Sequence, residues 1–128
     1  MARARTRHLT IAALVALAAA VPATALGHGA SPVVTSPKDG AKLTRVPATI
    51  TVSFGDPIGR LGAMRVTRNG AGNLVRSARI SPRNAARAVI TLKRPGPKAQ
   101  KGAYRLKWTV THADGHVQSG IVRFTVRR

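Results

Sequence analysis

From residue 49 onward, apolar and polar positions alternate in short runs, each closed by a turn signal. Thr49-Ile50-Thr51-Val52-Ser53-Phe54 puts Ile50, Val52 and Phe54 on one face, the period of two that a half-buried strand requires. Met64 and Val66 mark another strand ahead of Asn69-Gly70, residues that favour a tight turn. Leu74 to Ile80 follows, and Ser81-Pro82-Arg83-Asn84 breaks it. Ala88 to Leu92 is a further strand, closed by the loop Arg94-Pro95-Gly96-Pro97-Lys98. Tyr104 to Val110 alternates cleanly, with Tyr104, Leu106, Trp108 and Val110 inward. The last run, Ile121 to Val126, opens on Ile121 or Val122 and has Phe124 and Val126 among its apolar positions. No helical period is sustained. About seven short strands, with turns roughly every 8 to 12 residues, predict an all-β, immunoglobulin-like antiparallel β-sandwich.

A different pattern precedes the strands. Arg3, Arg5 and Arg7 form a positive start, Leu9 to Val21 is an apolar run, and small residues extend from Pro22 to Gly27. This reads as a secretory signal peptide over residues 1–27, which makes 28–128 one small domain, exported to the periplasm or the extracellular face of the cell envelope. The apolar run falls short of the roughly 20 residues of a membrane span, and no second run occurs, so the processed protein is expected not to span a membrane. Two cleavage sites compete. Cutting after Gly27 makes His28 the first residue; cutting after Ala25 leaves Leu26-Gly27 ahead of it. The chain has no cysteine, which excludes disulfides, thiolate metal sites and thiol catalysis.

Charge is one-sided. Lys and Arg number 22 against 3 acidic residues, Asp39, Asp56 and Asp114, for a net charge of +19. Such a balance suits an anionic partner, but the charges are scattered along the chain, as on a solvated surface. The few aromatics occupy core-like positions, whereas a single-strand binder exposes them, so no nucleic-acid role is expected.

The residues with chemistry to offer are histidines. His28, if first, presents its free amine and its imidazole together. Asp114-Gly115-His116 lies where the Trp108 strand runs out. In extended chain Asp114 and His116 project to one face, joined by His112 if extension holds from 112 to 116. Imidazoles, an amine and a carboxylate form a set suited to Cu(II). Affinity for such a set falls as pH drops towards the ordinary histidine value of about 6.5. Asp114 has an alternative role, fixing the orientation of a ligand imidazole.

These residues carry a family resemblance. His28, Ser36-Pro37-x-Asp39-Gly40-Ala41-x-Leu43, Pro47 and Val52-Ser53-Phe54-x-Asp56-Pro57 are followed by Gly102-x-Tyr104-Arg105-Leu106-x-Trp108-x-Val110. Ala113-Asp114-Gly115-His116, Gly120 and Phe124-Thr125-Val126 complete the match. The sequence resembles the CopC family of periplasmic copper-binding proteins. The resemblance implies a monomeric Greek-key β-sandwich holding one Cu(II) per chain through His28, Asp114 and His116. It also implies copper storage, delivery or resistance, often alongside a CopD-type membrane copper transport protein. It favours cleavage before His28.

Three departures from the family stand out. The only methionine after residue 27 is Met64, so no methionine-rich Cu(I) site is expected. His112 replaces a small polar residue and is open to three roles: a further ligand, a partner that orients a ligand, or an exposed side chain. The basic charge slows capture of a cation while suiting an acidic partner loop or an anionic membrane. Two rival readings remain beside copper binding. One is a structural or adhesive immunoglobulin-like envelope domain without metal. The other is an enzyme, against which stands the lack of any identifiable activated nucleophile or base; no catalysis is expected.

Overall fold

A computed structural model describes residues 32–127 as eight strands in two four-stranded sheets. They are β1 (Val34–Ser36), β2 (Ala41–Leu43), β3 (Thr49–Ser53), β4 (Ile58–Arg68), β5 (Val75–Ser81), β6 (Asn84–Leu92), β7 (Gly102–His112) and β8 (Val117–Val126). One sheet has the order β1-β3-β6-β5 and the other β2-β8-β7-β4. This is the immunoglobulin arrangement, with the short β2 added to the edge of the second sheet. The fold class read from the hydrophobic alternation is thus the one observed. Two details differ. Three-residue β1 and β2 are too short to show a period, and β2 pairs with β8 in parallel, so the second sheet is mixed.

The inward residues of both sheets make the core. Ile50, Val52, Ile90, Leu106 and Val110 are fully buried, with Tyr104, Val122, Phe124 and Val126 beside them. Of the two candidates for the start of the last apolar run, Val122 faces the core and Ile121 faces out. Near the start of β7 the Tyr104 hydroxyl donates to the Gln100 carbonyl four residues upstream, the corner contact seen in many such sandwiches. Burial raises the pKa of that hydroxyl, opposed by the Arg68 charge, so it remains a donor. Asp39 also has a backbone task, accepting from the Arg123 amide at 2.7 Å where β2 joins β8.

Candidate metal centre

The β7–β8 hairpin defines the site. The Gly115 amide donates to the His112 carbonyl at 2.9 Å, and the His112 amide to the His116 carbonyl at 2.8 Å. Gly115 lies at φ +94°, so a three-residue loop ends on a glycine in the left-handed region, where other residues are strained. The chain is therefore not extended from 112 to 116. The expected alternation on one face is corrected here: a turn, not a strand, brings His112, Asp114 and His116 together.

Asp114 and His116 are exposed, at 67% and 50% of the side chain. One carboxylate oxygen of Asp114, Oδ1, accepts from both the backbone amide of His116 (3.1 Å) and its Nδ1 (2.5 Å). The amide bond first, then the imidazole bond, hold the Asp114 carboxyl below its ordinary pKa, so it is an anion through the neutral range. A carboxylate only accepts, which places a proton on Nδ1 of His116 and leaves the lone pair on Nε2 in the neutral ring. Among the described residues nothing hydrogen-bonds that Nε2.

His112 has a different setting. It is 3% exposed, the one buried polar or charged side chain among the described residues, so it is not a surface histidine. Its Nδ1 lies 3.2 Å from the Pro57 carbonyl and its Nε2 lies 2.8 Å from the Gln118 side-chain oxygen. The same carbonyl accepts from the Ala113 amide at 3.0 Å, tying the hairpin to the start of β4. The ring and Phe54 meet edge-to-face, centroids 5.1 Å apart and planes at 86°. Its face stacks on the His116 ring, centroids 4.3 Å apart and planes at 21°. Phe54 in turn meets Trp108 at 5.1 Å. A ladder of rings thus runs from the core to His116.

His28 lies outside the described residues. The described chain enters at this end of the sandwich, since Val34 pairs with Ser53, one residue before Phe54. Among the described residues no three His, Cys, Asp or Glu side chains are gathered as a metal cage. Asp114 and His116 are a two-donor set. Two partners were not foreseen from the sequence. Gln118 stands at an inward-facing position of β8, a polar residue in an apolar register that signals a buried partner. The Pro57 carbonyl is a backbone group 55 residues away from His112 and leaves no such signal.

The class of protein so defined is a small immunoglobulin-like β-sandwich with a carboxylate-held imidazole exposed on its last hairpin. The chain belongs to the CopC family, whose domain matches residues 33–127. The copper transport protein CutJ of Bacillus subtilis (strain 168) is 26% identical over 106 residues, covering 83% of this chain and 19% of CutJ. The chain thus spans about a fifth of that relative. Among solved structures, CopC from Methylosinus trichosporium OB3b superposes with a TM-score of 0.65 at 20% identity, covering 76% of this chain and 93% of that one. PcoC, a copper resistance protein from Escherichia coli, gives 0.59 at 20% identity, covering 73% and 95%. Both likenesses concern the fold.

Proposed function

We propose that this chain binds one Cu(II) outside the cytoplasm through His28, Asp114 and His116, and stores or passes on the ion without a reaction of its own. The observation that carries the reading is the hairpin pair, an anionic carboxylate holding through Nδ1 a half-exposed imidazole whose Nε2 makes no hydrogen bond among the described residues. These donors fit Cu(II), which accepts nitrogen and oxygen ligands in a tetragonal set. Two donors make a weak site, so a third and fourth must come from beyond residues 32–127. His28 would supply both if it were the first residue, from its amine and its ring. Only three residues lie between it and Pro32, four Cα steps with an extended reach of about 14 Å, and the chain enters the fold beside Phe54 and hence beside His112. Export by the segment 1–27 and hand-over to a CopD-type membrane protein are part of the same proposal. Met64 packs against the core, which supports a single-site reading without Cu(I).

The testing experiment is an intact mass of the exported protein, with and without one equivalent of Cu(II). A mass beginning at His28 that gains one copper is expected. A mass beginning at Leu26, or no retained copper, would return the chain to a structural envelope domain.

Within this proposal His112 positions His116 and is not a ligand. Both its ring nitrogens already have partners, and its face limits how the His116 ring can turn. In His112→Ser the backing ring is gone, and Cu(II) affinity should drop about tenfold, as for other residues that orient a ligand. The number of imidazole nitrogens on copper, read by pulsed electron paramagnetic resonance, should stay the same. A count lower by one would make His112 a ligand.

A further inference from the structure

The strand register collects charges that look scattered in the sequence. On the outward side of the β2-β8-β7-β4 sheet, Arg105 stands directly opposite Arg123, and Lys107 opposite Arg65. Lys42, on β2, and Arg60, opposite Thr111, extend the same face. All six of these side chains are exposed. Like charges placed directly across a sheet destabilise it, and although Arg65 Nε donates to the Gly72 carbonyl at 3.1 Å, no carboxylate among the described residues neutralises them. The one ion pair among the described residues is His116 with Asp114, so no lysine or arginine there is paired with a carboxylate. Asp39, at the edge of this face, is engaged by the Arg123 backbone amide.

The opposite sheet is different. Its outward positions carry Thr49, Thr51, Ser53, Ser77, Val89 and Thr91 beside Arg79 and Arg87, with Arg76 at the bulge of β5 and Lys93 just past β6. The two basic residues in the register face Val89 and Ser53 and not each other. A uniformly arginine-rich composition would load both faces alike. We infer that the β2-β8-β7-β4 face docks on an anionic lipid surface, its basic side chains reaching the headgroup phosphates.

Charge complementarity alone would also admit an acidic protein. Protein interfaces, however, are anchored by buried aromatic or arginine-filled pockets with an apolar centre. Here Phe54, Tyr104, Trp108 and Phe124 are all in the core. The large apolar side chains on this face are two, Ile121 opposite Lys107 and Val117 at the Arg60 end opposite Thr111, 37% and 65% exposed. They are four positions apart on β8 and form no apolar centre. A flat sheet face of long basic side chains needs only a plane of negative charge. The copper pair is unaffected by such docking. His116 stacks on the inward-facing ring of His112, so the pair sits at the end of the sandwich and not on the basic face.

The test is sedimentation of the exported protein with vesicles of one part phosphatidylglycerol to two parts phosphatidylcholine. Binding is expected to these and not to phosphatidylcholine alone, and to be lost as salt rises from about 0.1 to about 1 M. The variant Arg105→Gln/Lys107→Gln/Arg123→Gln should bind about a hundredfold more weakly, at about fivefold per charge near the surface. The matched variant Arg76→Gln/Arg79→Gln/Arg87→Gln should change binding by less than about fivefold. Its charges lie across two sheets packed about 10 Å apart, beyond the screening length of about 8 Å at physiological salt. Arg123→Glu, which sets a carboxylate opposite Arg105, gives a one-residue version should the triple variant fold poorly. Equal losses from both faces, binding to neutral vesicles, or no binding to the anionic ones would overturn the inference. An acidic protein partner would give the last of these.

Discussion

Replacing His116 with Ala should lower Cu(II) affinity by at least about a hundredfold, more than the ten- to hundredfold typical for a residue that only orients a ligand. The substitution deletes the Nε2 donor atom and leaves Asp114 without the ring it orients. Asp114→Asn should cost less, about tenfold to a hundredfold, because Asn keeps an acceptor for the His116 amide and ring but loses the charge. Neither change should open the hairpin. Its closing bonds, Gly115 amide to His112 carbonyl and His112 amide to His116 carbonyl, belong to the backbone. A competition titration against a Cu(II) chelator at fixed pH measures both variants, with circular dichroism as the check on folding. Equal affinity in wild type and His116→Ala would remove the hairpin from the copper site and leave His28 to bind alone.

The sequence-based expectations divide along physical lines. The fold class was legible because β3, β6, β7 and β8 each bury one face, and burial of one face imposes the period of two. Tyr104, Leu106, Trp108 and Val110 alternate with Arg105, Lys107 and Thr109 for that reason alone. Strands β1 and β2 were not legible, since three residues on a sheet edge bury too little to leave a period. The parallel pairing of β2 with β8 depends on the turn at Lys38 to Gly40, and local propensity does not specify its partner. In the site, the residue types of Asp114 and His116 pointed to metal chemistry. Their geometry departs from the extended reading because Gly115 at positive φ turns a would-be strand into a hairpin loop. The burial of His112 follows from the inward alternation of β7, which runs on from Val110 to 112. The basic face is the clearest case of information that lies in register and not in sequence order. Arg105 and Arg123 are 18 residues apart along the chain and directly opposed across it.

Gly120→Ala should destabilise the fold markedly although it adds only one methyl group. Gly120 lies opposite Trp108 in the β7–β8 register, on the inward side of β8. The indole ring occupies the space where a side chain would begin: an added Cβ would lie 2.7 Å from Trp108 Cε2 and closer still to Cζ2. The obstacle is the fused ring of a buried tryptophan, whose neighbour Phe54 meets it edge-on at 5.1 Å. It cannot swing aside as the end of a flexible chain would. Overpacking of this kind costs about 1–3 kcal/mol, which for a domain of this size lowers Tm by roughly 4–8 °C per kcal/mol. Ser119→Ala, next door but outward, should leave stability within about 0.5 kcal/mol. The Gly120→Ala variant also tests whether the ring ladder transmits packing to the metal centre. Its added methyl group displaces Trp108, which pushes on Phe54, Phe54 on His112, and His112 on the face of His116. Cu(II) affinity should therefore fall along with Tm, measured well below the transition so that the protein remains folded. A lowered Tm with unchanged copper affinity would confine the glycine's role to the core. An unchanged Tm would mean that the indole does not lie over Gly120 at all.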